Sequence, residues 1–389
     1  MRKDLMRQES ILEGRLTRRE FLKLLGLFGG WLFVLGTVRF KGRGQTLKAT
    51  LEEGLREALF YERLSSSVVK CRLCYRNCLI PSGKRGICFA RENRDGTLYT
   101  LTYGRPVAIH IDPVEKEPLF HFLPGTDTLC EGSATCNFGC EYCINWEIAL
   151  RKPEEVEAIP TTAEELVQIA LRESVPIICF TYNEPTQQYE YVLDVVRLAK
   201  ERGLRTTFHT NGGINPEPLA HLLPYIDSVA VDLKGFTEDF YKNVVHAELA
   251  PVLRTLELLR EHGVWFEIVN LVIPTLNDDP DDISRMCRWI LQHLGPDVPL
   301  HFSRFFPSYK LTRLPPTPLQ TLERAYETAK EAGINYVYIG NVPGHKYAHT
   351  YCPSCGERLI SRQLFLVTNE GLVGGCCKHC GQLIPGVWE

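Results

Sequence analysis

Fifteen cysteines stand in this chain of 389 residues, and twelve of them fall into three tight groups. The middle group runs Cys136-Asn137-Phe138-Gly139-Cys140-Glu141-Tyr142-Cys143, a C-x3-C-x2-C spacing. Three thiolates on so short a loop can hold three irons of a cuboidal 4Fe–4S cluster, because cysteine is the ligand such clusters take. The fourth iron then lacks a protein ligand, and an open position is where a catalytic metal receives its substrate. A zinc loop or three structural thiols is the competing reading. Cys71, Cys74, Cys78 and Cys88 form a second set, suited to zinc or to another iron–sulfur cluster, and the spacing leaves both open. Near the end, Cys352-Pro353-Ser354-Cys355-Gly356 and Cys377-Lys378-His379-Cys380-Gly381 make two C-x2-C-G knuckles, the pattern of a structural zinc ribbon. Cys376 is one residue out of register with them. Cys130, Cys179 and Cys287 stand apart and are expected to be buried apolar residues.

The rest of the composition is ordinary for a globular enzyme, with 44% hydrophobic and 23% charged residues. A net charge of -3 offers no general attraction for nucleic acid or anionic lipid. The cysteine-rich tail carries no dense basic stripe, so a nucleic-acid partner is not expected. Clustered cysteines in a chain this large point to metal before disulfides. At the N-terminus, Thr17-Arg18-Arg19-Glu20-Phe21-Leu22-Lys23 precedes an apolar run from Leu24 to Val38. That order resembles a twin-arginine export signal, and an amphipathic or loosely ordered helix, or a retained membrane anchor, is the plain alternative. Cytoplasmic, membrane-associated and exported locations all remain open on this reading.

The elements that must position these groups follow from periodicity. A helical stretch is expected over Leu51–Leu64, then strand-like pieces near Tyr99–Tyr103 and Val107–Ile111. From Thr128 to about Val342 short apolar runs alternate with helices whose apolar residues recur at three and four spacings. Gly203, Gly263 and Gly333 each follow such a helix, where a C-terminal cap belongs. Buried strands alternating with helices predict parallel pairing, and the number of repeats predicts an α/β fold: a full or partial parallel (β/α) barrel. No G-x-G-x-x-G turn follows the first strand, which argues against a dinucleotide sheet. The expected boundaries are 1–44 for the signal or anchor, 45–125 for the N-terminal cysteine-rich segment, 126–345 for the barrel and 346–389 for the ribbon. In such barrels chemistry sits at the C-terminal ends of strands. The cysteine loop follows the first strand, Asn183 and Glu184 the second, Thr210 and Asn211 the third, Asp232 and Lys234 the fourth, and Ile273 the fifth. Capping or packing is the alternative role for each of these later residues. Glu115, Lys116 and His301–Arg304 are expected, from loop position, to line a substrate end.

The loop and its placement resemble the radical S-adenosylmethionine (SAM) superfamily, in its activase-like branch. The resemblance implies a 4Fe–4S cluster on Cys136, Cys140 and Cys143, with SAM at the open iron. Tyr142 is implied as the adenine neighbour and Ile273 as part of an apolar adenine wall. Glu184 is implied as acceptor for the methionine amine, although Tyr182-Asn183 stands where that family has Gly-Gly. Thr210 and Asn211 are implied to reach the ribose or sulfonium side. More closely, Gly83-Lys84-Arg85-Gly86-Ile87-Cys88, Ile111-Asp112-Pro113-Val114-Glu115-Lys116-Glu117-Pro118-Leu119 and Cys143-Ile144-Asn145-Trp146-Glu147 resemble the AmmeMemoRadiSam-system radical enzymes. That resemblance implies a low-potential electron donor, association with Memo-like and AMMECR-type proteins, and an unknown substrate that gives up hydrogen. A glycyl-radical activase is the enzymatic alternative, and a multi-cluster electron-transfer or scaffold protein is the alternative of another class.

Overall fold

The computed structural model describes residues 55–64 and 67–389, all within the unit Ala49–Glu389. The twin-arginine-like stretch and the apolar run after it lie outside these residues. Among the described residues no helix is long and apolar enough to cross a membrane.

Eight strands form the central sheet: β1 (Ala108–Pro113), β2 (Asp127–Gly132), β3 (Ile177–Phe180), β4 (Arg205–Thr210), β5 (Ser228–Asp232), β6 (Trp265–Val272), β7 (Leu300–Arg304) and β8 (Val337–Gly340). They lie in sequence order; β2 to β8 run parallel and β1 pairs antiparallel with β2. Among the described residues the two end strands are not paired with each other, so the sheet is open.

Side chains alternate along each strand, and here the two sets differ in chemistry. Leu129, Ile178, Phe180, Phe208, Val229, Val231 and Ile268 join one apolar cluster with residues of the crossover helices. Those helices are α1 (Ala163–Arg172), α2 (Tyr189–Glu201), α3 (Pro216–Leu222), α4 (Leu249–Glu261), α5 (Pro280–His293) and α6 (Leu319–Ala332). The opposite, inner set carries Cys130, Cys179, His209, Asp232, Glu267 and His301. One face of the sheet is thus mainly apolar core, and the other carries these ionisable groups beside a small apolar cluster of Val114, Leu119, Phe122, Ile177 and Ala230.

Local signals set the helix ends. Thr162 and Glu165 cap α1 reciprocally, and the Asp279 carboxylate accepts from the Asp281 and Asp282 amides ahead of α5. Gly333 takes a left-handed φ of 109° at the end of α6, a conformation costly for any residue with a Cβ.

The helix expected over Leu51–Leu64 is not formed in its described part. Arg56–Glu57 pairs with Tyr99–Thr100, and Tyr61–Arg63 pairs with Val69–Cys71. Tertiary strand pairing overrides the local pattern there.

Tail residues seal the N-terminal ends of the strands. Val387 exchanges backbone hydrogen bonds with His121 and Leu123, both at 2.7 Å, on the loop between β1 and β2. Phe120, Tyr336 and Tyr338 share an apolar cluster with Cys352, Leu359 and Ile384 of the tail. Arg362, fully buried, lies over the Phe120 ring at 4.1 Å and donates to the Phe120 carbonyl at 2.7 Å.

Candidate active site at the cysteine loop

The cysteine loop leaves the C-terminal end of β2 and is pinned on both sides. Gly139 and Glu141 donate backbone bonds of 3.0 Å to Val245 and Val244. Lys310 and Leu311 donate to the Glu141 carbonyl at 2.9 and 3.2 Å. A loop held this way presents its three sulfurs without further ordering.

The Cys136 sulfur receives two N–H groups, from the Phe138 backbone at 3.4 Å and from Asn211 Nδ2 at 3.5 Å. Donors aimed at sulfur suit a thiolate bound to iron, whose negative charge they offset. Burial pushes the Cys143 thiol up to about 11, and it raises Cys136 and Cys140 as well. These sulfurs therefore become thiolates at neutral pH only against a cation, and metal binding would expel their protons. The donor set and its hydrogen bonds fit an iron–sulfur cluster.

Around the loop stand the other expected residues. Asn183 clasps the turn after β3 to the loop after β2, donating to the Thr135 carbonyl at 2.7 Å and accepting from Ser133 N at 3.2 Å. Glu184 is fully buried and already well supplied with donors: Thr186 N at 3.1 Å, the Thr186 hydroxyl, Thr210 Oγ1 at 2.9 Å and Asn211 N at 2.8 Å. Burial raises its carboxyl while these donors lower it, and the net direction is upward. Glu184 thus caps the short helix Pro185–Gln188 and ties the ends of β3 and β4 together. Asn211 also donates to Asn137 Oδ1 at 2.8 Å. Tyr142 is buried against Phe240, with rings 6.4 Å apart and 21° from parallel. Ile273 is buried at the end of β6, its N–H donating to Asn277 Oδ1 at 2.6 Å. The buried hydroxyls of Ser133 and Thr135, on the loop after β2, lack a protein hydrogen-bond partner. Those hydroxyls suit a polar cosubstrate such as SAM.

Below the loop the inner wall is ionic. His209 donates to Asp232 and to Glu117, each at 3.2 Å, and Lys234 donates to Asp232 at 2.8 Å. Burial works against a charged imidazole, yet the two carboxylates raise His209 well above its ordinary range. Lys234 is likewise raised, against burial, chiefly by Asp232. Cys130 and Cys179, buried as expected, are not merely apolar: with Glu117 their ligand atoms lie within 4.8 Å of one another. Sequence reasoning missed Glu117 and Asn137. Glu117 comes from the loop before β2, and no spacing marks it as a neighbour of β4. Glu115 and His301 are committed elsewhere: Glu115 accepts from Gly125 N at 2.8 Å, and His301 contacts Glu267 at 2.6 Å toward the N-terminal ends of the strands.

Two other groups stand apart. The sulfurs of Cys352, Cys355, Cys377 and Cys380 converge within 4.8 Å, without Cys376. Cys71, Cys74, Cys78 and Cys88 line one pocket beside Arg91.

The family described as the Radical SAM superfamily matches residues 131–289. The chain is 46% identical over 332 residues to the uncharacterized protein MJ0808 of Methanocaldococcus jannaschii, covering 85% of this chain and 99% of that one. It is 28% identical over 164 residues to a pyruvate formate-lyase-activating enzyme of Clostridium pasteurianum, covering 40% of this chain and 66% of the relative. Among solved structures, a radical SAM methyltransferase from Sphaerobacter thermophilus aligns with a TM-score of 0.45 at 18% identity, over 61% of this chain and 71% of that one.

Proposed function

We propose, from the premise that the chain belongs to the radical SAM superfamily and is an enzyme that uses SAM reductively, a specific assignment of its residues. Cys136, Cys140 and Cys143 hold the 4Fe–4S cluster. When bound and reduced, that cluster supplies the electron that splits SAM into methionine and a 5'-deoxyadenosyl radical, which takes hydrogen from a substrate of unknown identity.

The protein's own part is to hold and orient. Asn183 and Glu184 fix the turn that receives the methionine end, Glu184 as the buried tie whose oxygens Thr186, Thr210 and Asn211 already occupy. Thr210 and Asn211 stand toward the ribose, and Tyr142 and Ile273 flank the adenine. His209, Asp232, Lys234 and Glu117 keep fixed charges on the wall beneath, which selects a polar substrate. Cys352, Cys355, Cys377 and Cys380 hold structural zinc, and their convergence supports that reading. The motif resemblances support a place in the AmmeMemoRadiSam system, with Memo-like and AMMECR-type partners and an external low-potential donor.

One observation carries the assignment: three cysteines on a pinned loop at a strand's C-terminal end, with N–H donors aimed at Cys136. Anaerobic reconstitution, reduction and assay for 5'-deoxyadenosine test it. SAM cleavage by the wild type and its loss in Cys140→Ala are expected; equal cleavage in both would overturn it. The similarity to pyruvate formate-lyase-activating enzymes favours one second reading, activation of a glycyl-radical enzyme. Electron paramagnetic resonance of a candidate partner after incubation, seeking a glycyl radical, separates the two.

A further inference from the structure

We propose that Cys71, Cys74, Cys78 and Cys88 hold a second 4Fe–4S cluster and not a zinc ion. The separation of the thiolates distinguishes the two. Tetrahedral zinc, with bonds of about 2.3 Å, draws its four sulfurs to roughly 3.8 Å from one another. A cubane holds its four cysteine sulfurs beyond the corners of a cube, roughly 6 Å apart.

The chain contains a reference for each case. In the tail, the four knuckle sulfurs all fall within 4.8 Å, with Cys352 to Cys380 at 3.6 Å and Cys355 to Cys377 at 3.7 Å. Among the described residues no three sulfurs of Cys71, Cys74, Cys78 and Cys88 converge in this way, and neither do those of the triad Cys136, Cys140 and Cys143. Like the triad, the first group lacks the close convergence that the ribbon shows, although its four cysteines line one pocket. Gly86 approaches between two of them: a Cβ there would stand 3.8 Å from both the Cys78 and Cys88 sulfurs.

Charge and position agree with a redox group. Arg91 is fully buried at this pocket and paired with Glu190, bringing a cation next to four thiolates. Tyr75, between the first cysteines, donates through its backbone to Gly213 at 3.1 Å and meets Phe138 edge-on at 5.7 Å. Phe138 in turn donates to the Cys136 sulfur. The two cysteine loops are therefore neighbours.

The test uses the full chain, produced with both iron and zinc supplied and reconstituted anaerobically with iron and sulfide. Wild type is expected to carry about eight irons, and the variant Cys136→Ala/Cys140→Ala/Cys143→Ala about four, with a reduced-cluster resonance signal that SAM does not alter. A triad variant with no iron and about two zinc ions per chain would overturn the proposal. The converse variant, Cys71→Ser/Cys74→Ser, is expected to lose about four irons and keep the SAM-responsive signal. Undiminished iron in that variant would also overturn it. Should the converse variant fail to fold, the triad variant decides alone. A wild type whose signal ignores SAM, while the triad variant keeps its irons, would count against the radical assignment and not against this site.

Discussion

On the proposed assignment, Asn211 is the side chain that tunes the cluster. Its amide donates to the Cys136 sulfur, and hydrogen bonds to sulfur favour the reduced, more negative cluster. Losing one such bond, about 1 kcal/mol, corresponds to roughly 40 mV for a one-electron couple. Asn211→Ala is therefore expected to lower the cluster's midpoint potential by about that amount, read by redox titration with resonance detection. Glu131 tests electrostatics away from the cysteines. It is fully buried on the helix side of β2, and burial pushes its carboxyl from an ordinary 4.5 up to about 8, against the Gln188 hydrogen bond that lowers it. Folding thus favours its protonated form, so stability is fully present below its unfolded value and is lost as pH rises through about 8. Glu131→Gln keeps an acceptor for Gln188 and is expected to remove this loss, raising Tm by roughly 2–5 °C at alkaline pH and leaving it unchanged in acid. An unaltered pH profile of Tm would refute it.

Between residue and fold, strand-end turns carry the site. Gly132 closes β2 under the turn after β3, where an added Cβ would stand 2.7 Å from the Thr181 carbonyl and 2.8 Å from the Tyr182 ring. Gly213 is equally close to the cysteine loop, with a Cβ there 2.8 Å from Phe138 and 2.9 Å from Asn137. Both glycines let one loop lie directly on another. Gly132→Ala should displace the turn that holds Asn183 and Glu184, costing about 1–3 kcal/mol of stability. SAM affinity, measured by calorimetry on reconstituted protein, should fall roughly tenfold or more. Retained affinity would separate that turn from cosubstrate binding. The strands β2 to β8 and the helices α1, α2, α4, α5 and α6 were legible in advance, because each is a buried apolar run or a periodic stripe, whereas the short helix α3 was not. Residues 55–64 were not, because their partners Tyr99–Thr100 and Val69–Cys71 lie far along the chain or across a turn.

Across the whole molecule, the tail and the cysteine loop occupy opposite ends of the parallel strands. Arg362 joins the tail to the loop before β2 through the Phe120 carbonyl, with the Glu115 carboxylate 4.0 Å away, and is held within the tail by Ala348 and Thr350. Burial lowers the guanidinium and raises Glu115 to about 7, so this contact works mainly through hydrogen bonds and ring packing. Arg362→Met keeps the bulk and strands the Phe120 carbonyl. It should cost about 3 kcal/mol, read as a lower Tm, while 5'-deoxyadenosine formation at low temperature stays near wild type. Loss of SAM cleavage at a temperature where the variant is folded would mean that the tail acts on the site.

The sequence by itself determined the chemistry available: three cysteines on one loop, four in two knuckles, and strands that alternate with helices. Those features are local, carried by spacing and periodicity, and spacing survives without knowledge of the fold. Only the tertiary structure decided which groups meet. It brought Glu117 from the β1–β2 loop to His209, turned Glu184 into the tie between two strand ends, and aimed Asn211 at Cys136. It also closed the last four cysteines to within 4.8 Å of one another while leaving the first four without such convergence. Such contacts join residues tens or hundreds of positions apart, and packing of the sheet and its crossovers, not any pattern along the chain, fixes them.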